Sequence, residues 1–90
     1  MAGHPEGISS MFYVYILRSI NHPEKIYVGY SKNINQRLDA HNNGESIYAS
    51  KYKPWALHAY FALHEESKAI AFEKYLKSGS GKAFASTHLL

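Results

Sequence analysis

The stretch from Lys25 to His41 restricts the fold of this chain more than any other. Lys25–Tyr30 combines aromatic and β-branched residues in the short pattern of a strand. A polar turn follows, and Asn33 is a favourable N-cap for a helix that ends at Gly44. We therefore expect a strand, a tight turn and a helix in direct succession.

The predicted helix carries polar residues on the side that should face the core. Ile34, Arg37, Leu38 and His41 are spaced at i, i+3, i+4 and i+7, which is the spacing of a buried helical stripe. In one interpretation, Arg37 extends from the edge of the stripe into solvent and His41 interacts with the helix C-terminus. In the other, both side chains point into a cleft beside Tyr27, where they could hold a phosphate and move a proton. The second interpretation requires other polar residues directed at the same place.

The remaining segments complete a small domain. Phe12–Arg18 and Trp55–Leu63 are predicted strands, and the short polar loop before Lys25–Tyr30 favours an antiparallel hairpin between the first two strands. A second helix is predicted to end near Lys77, and Ser80 is the expected N-cap of a short last helix. The predicted fold class is α/β (α+β), a three-stranded antiparallel sheet flanked by helices in the order β-β-α-β-α-α.

Two segments of the second half are interpreted from their side-chain patterns. Glu45–Pro54 is predicted to be a polar loop, in which lysines and tyrosines are mixed in a way that suits a nucleic-acid backbone but is also common in ordinary solvated loops. In the third strand, His58 and Tyr60 are predicted to face outward. The residues predicted to alternate toward the core are Trp55, Leu57, Ala59, Phe61 and Leu63.

Length and composition define the class of protein. Ninety residues allow a single domain, which we place at residues 11–90, with residues 1–10 as a flexible leader or a remnant of an expression tag. The chain has no cysteine, which excludes a disulfide framework and a thiolate zinc site. Its net charge of +3 is compatible with a polyanionic partner. No apolar run is long enough for a membrane span, so we expect a soluble cytoplasmic protein.

A set of polar residues on several elements matches the needs of phosphodiester hydrolysis. Glu73 lies on the predicted buried stripe of the second helix, as Arg37 and His41 do on the first. A single carboxylate suits a magnesium ion that keeps most of its waters, and an arginine can bind a non-bridging phosphate oxygen. A tyrosine is a poor base near neutral pH and needs a cation, a metal or a histidine to lose its proton. Taken singly, each residue has an ordinary structural explanation, such as an ion pair between Glu73 and Arg37.

These residues resemble those of the GIY-YIG nuclease superfamily, in particular its short stand-alone bacterial members. The resemblance runs from Phe12 to about Lys82 and depends on an ordered set of short motifs. They are Tyr13-Val14-Tyr15, Tyr27-Val28-Gly29, Arg37, His41 and Glu73. Tyr13 stands where the first motif has glycine, and no asparagine follows Glu73, although many members have one there.

The resemblance implies an endonuclease that cuts DNA with one divalent metal ion, Mg or Mn, and it suggests branched or damaged DNA and DNA repair. It assigns catalytic roles to Tyr15, Tyr27, Arg37 and His41, the metal to Glu73, and the motif glycine to Gly29. RNA and dimer formation stay open, and no membrane is expected to be involved. The lysines predicted to contact nucleic acid are Lys32, Lys51, Lys53, Lys74 and Lys77.

Two other classes of function compete with the nuclease. The first is a nucleic-acid-binding module with weak or no cleavage, which salt-sensitive binding without cutting would favour. The second is a protein-interaction domain that uses its aromatic surface, which absence of nucleic-acid binding at low salt would favour.

Overall fold

A computed structural model describes residues 11–90, and the leader predicted for residues 1–10 lies outside this range. The described part of the chain forms three strands and four helices. In chain order these are β1 (Phe12–Ser19), β2 (Ile26–Ser31), α1 (Ile34–Asn42), α2 (Ile47–Tyr52), β3 (Trp55–Leu63), α3 (Glu66–Lys77) and α4 (Gly79–His88). Each of these helices is too short to cross a membrane.

The three strands form one antiparallel sheet in the order β2-β1-β3. This arrangement confirms the predicted fold class and the hairpin between the first two strands. On β1, Tyr15 pairs with Gly29 of β2 on one side and with Tyr60 of β3 on the other. Because β1 is central, its residues are the most completely buried in the sheet.

The two faces of the sheet carry separate apolar clusters. On one face, Val14 and Ile16 pack with Ala69 and Leu76 of α3 and with Ala85 of α4. On the other face, a smaller cluster consists of residues from β1, β2, β3, α1 and α2. Its members are Tyr15, Leu17, Trp55, Tyr27, Ile34, Leu38 and Tyr52. We call this second side the tyrosine face, and it carries most of the predicted site.

The alternation predicted for β3 is confirmed in part: His58 and Tyr60 are exposed as expected, but the inward residues do not share one face because the strand has a bulge. Ile16 pairs with Ala59 but Leu17 pairs with Leu57, so that His58 is an extra residue. Phe61, beyond the bulge, pairs with Val14 and packs against Phe72 of α3. Trp55, before the bulge, belongs to the tyrosine face instead. Leu57 is 39% exposed rather than buried.

Two local predictions in the second half of the chain also need correction. Residues 47–52 of the predicted loop form helix α2, because the Ser46 side chain caps the Ala49 amide at 3.1 Å. The helix is then held to β3 by the Trp55 indole, which donates to the Ala49 carbonyl at 3.0 Å. The N-cap of α4 is Ser78, whose hydroxyl accepts from the Gly81 amide, and not Ser80.

Candidate active site

Tyr15 and Gly29 meet at the centre of the tyrosine face. The Tyr15 side chain is almost completely buried and passes over Gly29, its cross-strand partner. A Cβ atom at position 29 would overlap the Tyr15 hydroxyl and the ring carbon that bears it. The glycine therefore provides the space in which the hydroxyl lies, as close approach of a side chain to backbone requires.

The Arg37 guanidinium connects the Tyr15 hydroxyl to a carboxylate. It hydrogen-bonds to Tyr15 and donates from Nη2 to Glu45 Oε1 at 3.0 Å. Burial raises the pKa of Tyr15 above its ordinary value, although the hydrogen bond and the charge of Arg37 act in the opposite direction. Burial dominates, so Tyr15 is a neutral phenol at physiological pH. Arg37 remains 37% exposed, which leaves it accessible to a ligand.

Glu45 was not among the residues predicted for the site, and the turn after α1 explains its position. The Gly44 amide bonds to the His41 carbonyl and the Glu45 amide to the Ala40 carbonyl, which is a Schellman motif. Gly44 has φ +73°, a conformation that a glycine adopts without strain. The turn directs Glu45 back along α1 toward Arg37 and His41. The glycine at the predicted helix end was the signal that could have identified Glu45.

His41 is 1% exposed and lies against Tyr27. Its Nδ1 is 3.0 Å from the Arg37 carbonyl oxygen and 3.4 Å from Glu45 Oε1. We assign the proton to Nδ1, which then donates to the carbonyl and leaves Nε2 as the free base. The His41 and Tyr27 ring centroids are 4.2 Å apart, and the Tyr27 ring stacks 6.4 Å from that of Tyr15.

Glu73 lies at the margin of this group. Its carboxylate accepts from Lys77 at 2.7 Å, one helical turn away on α3, and Lys77 Nζ lies 5.9 Å from the Tyr27 ring centroid. Arg37 is paired with Glu45, so the predicted alternative of an ion pair between Glu73 and Arg37 does not apply. Four of the predicted residues are therefore in mutual contact, whereas Glu73 is linked to them through Lys77.

The donor set allows a metal ion that keeps most of its waters. Among residues 11–90 no three carboxylate, histidine or cysteine side chains come together as a ligand cluster. A single carboxylate such as Glu73, which is 20% exposed, fits magnesium, since magnesium is commonly held by one or two carboxylates. The residues present therefore fit a hydrated magnesium or manganese ion and do not fit an all-protein cage.

The predicted nucleic-acid contacts are spread over several elements. Lys32 follows β2, and Lys51 belongs to α2, where it lines an open pocket with Glu45 and Ser50. The other three lysines are Lys53, Lys74 and Lys77, all solvent-exposed, the last two in the final turn of α3.

Comparison with known proteins identifies the family. No curated protein and no solved structure matches the chain significantly. The family model of the GIY-YIG catalytic domain matches residues 11–85, which include every strand and all but the end of α4. This chain therefore belongs to the GIY-YIG family of catalytic domains.

Proposed function

We propose that this chain is a metal-dependent endonuclease that hydrolyses phosphodiester bonds in DNA, with branched or damaged DNA as its substrate class. Its family is one of nucleases, which supports an enzymatic role at the family level. The observation that carries the proposal is the Arg37 guanidinium, which is fixed between the buried Tyr15 hydroxyl and Glu45 yet open to solvent.

Arg37 is suited to bind the scissile phosphate. A guanidinium forms paired hydrogen bonds to phosphate oxygens and stays charged at every physiological pH. Its contacts with Tyr15 and Glu45 restrict its orientation before the substrate arrives, so less freedom is lost on binding. In this proposal Arg37 stabilises the negative charge that accumulates on the phosphate during the reaction.

Tyr15 and Tyr27 have different proposed roles. Tyr15 is a neutral phenol beside Arg37, so it orients the attacking water or a phosphate oxygen through its hydroxyl rather than removing a proton. Tyr27 contacts His41, whose Nε2 is the free base under the assigned tautomer. We place the proton path here: the water gives its proton to Tyr27 as Tyr27 passes its own to His41, directly or across one water. The water oxygen then attacks phosphorus, and the bond from phosphorus to the leaving sugar oxygen breaks. That oxygen takes a proton from a solvent water, and His41 returns its proton to solvent.

Glu73 is the proposed metal ligand. A magnesium or manganese ion, when bound, would neutralise charge on the phosphate and on the leaving oxygen. Lys77 holds the Glu73 carboxylate in this structure and must release it, at least partly, for the ion to bind.

The test is cleavage of supercoiled plasmid and of labelled branched, nicked and paired DNA with Mg or Mn. We expect nicking that depends on the metal and falls by a factor of about 10² or more in Tyr15→Phe and in Glu73→Ala. Tyr75→Phe, which changes an exposed tyrosine on α3, is the matched control and should cut like the wild type. Equal inactivity of wild type and variants on all these DNAs would contradict the proposal.

A second candidate is a DNA-binding module without cleavage, and the pairing of Glu73 with Lys77 favours it because the ammonium ion occupies the proposed metal ligand. Lys77→Ala distinguishes the two. The nuclease predicts that this variant cuts at lower metal concentration, and the binding module predicts no cutting in either protein.

A further inference from the structure

A second recess lies on the tyrosine face, beside the proposed reaction centre. It has a volume of about 400 Å³ and lies between the first turn of α1 and strand β3. Its lining includes Tyr13, Tyr60 and Leu57, with Lys32 and Asn35 at the start of α1. None of these residues has a role in the proposed proton path or metal site.

The recess adjoins Tyr15 through the sheet. Tyr60 is the cross-strand partner of Tyr15 on β3, so the two side chains stand on the same face. Tyr13 precedes Tyr15 by two residues and shares that face, about 7 Å along the strand. The Tyr15 hydroxyl itself points the other way, over Gly29 of β2. A ligand in the recess therefore lies on the same face as a phosphate bound at Arg37 and Tyr15, displaced from it toward β3.

The walls of the recess are aromatic and accessible. The Tyr13 and Tyr60 ring centroids are 6.0 Å apart at an interplanar angle of 60°. Tyr60 is 55% exposed, a large exposed fraction for an aromatic residue in a strand, and Leu57 beside it is 39% exposed. Exposed aromatic rings in a recess are the usual platform on which nucleic-acid bases stack.

The rim supplies groups that suit a nucleotide. Lys32 is exposed at the outer edge of the recess, where its ammonium lies 5.5 Å from the Phe12 ring centroid and can turn toward a backbone phosphate. Asn35 is exposed on the first turn of α1 and offers an amide to the edge of a base. Asn33 also lines the recess, but its side-chain oxygen is occupied by the Gln36 amide at 3.1 Å.

We propose that this recess binds an unpaired base of the DNA substrate, one close to the phosphate to be cut. The inference rests on the proposed function for the position of that phosphate. In a duplex, neighbouring pairs cover both faces of each base, so only an unpaired or extruded base can stack on Tyr60 and Tyr13. The recess would account for the proposed preference for branched or damaged DNA, in which such bases occur.

The test measures binding with 2-aminopurine as the reporting base. The probes are a duplex with one unpaired 2-aminopurine and the same duplex with that base paired, both without metal so that nothing is cut. We expect the wild type to quench the fluorescence of the unpaired 2-aminopurine. We also expect it to bind the duplex with the unpaired base more tightly than the paired duplex, by a factor of about 10, as one stacked base provides.

Variants at one ring separate stacking from folding. Tyr60→Ala should lose the preference for the unpaired base, and Tyr60→Phe should keep it because the ring remains. Tyr75→Ala removes an exposed ring from α3 and should bind both probes like the wild type. The inference is overturned if Tyr60→Ala, shown to be folded by circular dichroism, keeps the preference, or if the wild type has none.

The outcome is independent of the cleavage test. Loss of the preference in Tyr60→Ala supports the base site whether or not DNA is cut. Metal-dependent nicking by the wild type decides the proposed function separately.

Discussion

At the scale of single residues, the site depends on one close approach. The Tyr15 hydroxyl occupies the space that a side chain at position 29 would fill, and Arg37 reaches the same hydroxyl from α1. Gly29 does not contact Arg37 directly, but it fixes the position of the Tyr15 hydroxyl and, through it, the orientation of Arg37. Substituting that glycine should affect chemistry more than folding.

Gly29→Ala should lower the cleavage rate by a factor of about 10² or more, because the new methyl group displaces the Tyr15 ring. Overpacking should also lower the free energy of unfolding by about 1–3 kcal/mol. Single-turnover cleavage and urea unfolding measure the two effects. Gly79→Ala is the control, since nothing lies within 4 Å of its new methyl group. Cleavage by Gly29→Ala at the wild-type rate would contradict the account.

The ionisation of Tyr15 provides a pH test. Because burial raises its pKa in the folded state, folding favours the neutral phenol. This stabilisation is complete below the unfolded pKa of about 10 and is lost as the pH rises through the folded pKa. Tyr15→Phe cannot ionise, so its free energy of unfolding should fall less than that of the wild type between about pH 8 and about pH 11. Urea unfolding at both pH values measures this difference. If the free energy of unfolding fell equally in the two proteins, the pKa of Tyr15 would not be raised by folding.

At the scale of elements, α3 and α4 meet at a glycine that tolerates no side chain. Ser78 caps α4, and the Gly81 backbone lies against the backbone of Tyr75 and Leu76. This corner positions α3, the helix that carries Glu73 and Lys77, against the sheet.

Gly81→Ala should be strongly destabilising, by more than about 3 kcal/mol, because the new methyl group would overlap the backbone carbonyl of Tyr75. Neither backbone can move without separating the two helices. Thermal unfolding measures the effect. Gly79→Ala, two residues earlier in the same helix, should lie within about 1 kcal/mol of the wild type. Similar stability of the two variants would mean that the helices do not pack in this way.

The elements also show how far the sequence predicts this structure. Periodicity and capping residues predicted the three strands, α1 and α3, and the hairpin brought Tyr15 and Tyr27 to one face as expected. The bulge at His58 could not be predicted, because the apolar residues of β3 alternate without interruption in the sequence and nothing there marks an extra residue. Helix α2 was missed because it has six residues, and its stability depends on the Ser46 cap and on the distant Trp55.

The candidate site was predictable to a similar extent. Arg37 and His41 on a buried stripe indicated a polar site, and the structure places both beside the tyrosines. Glu45 was missed, although Gly44 at the predicted helix end marked the turn, because its contact with Arg37 depends on the path of the chain through this positive-φ glycine. Catalytic roles for these residues remain predictions.

At the scale of the whole molecule, the sheet separates packing from the proposed chemistry. α3 and α4 cover one face, whereas the tyrosine face is covered by α1 and α2 and keeps the recess beside Tyr15 open. With a net charge of +3, the molecule depends on a few lysines for its attraction to a polyanion.

The combined Lys51→Ala and Lys53→Ala variant should bind paired DNA more weakly and with a smaller salt dependence. Each phosphate contact contributes about 0.9 to the slope of log affinity against log salt, so the slope should fall by up to roughly two. Fluorescence anisotropy over a salt series measures it. Lys68→Ala, at the start of α3, is the control for a lysine outside the predicted contacts. An unchanged slope in the double variant would mean that the DNA backbone does not contact these two lysines.

The central claim is that Arg37 holds the phosphate that is cut, and Arg37→Ala tests it most directly. The measurement is single-turnover cleavage of a labelled branched DNA, with binding followed by anisotropy on the same protein. The account predicts a rate lower by a factor of about 10² to 10³, with Arg37→Lys in between because it keeps the charge without the paired hydrogen bonds. DNA binding should weaken far less, since the lysines predicted to contact the DNA backbone remain. Cleavage by Arg37→Ala at the wild-type rate would contradict the account.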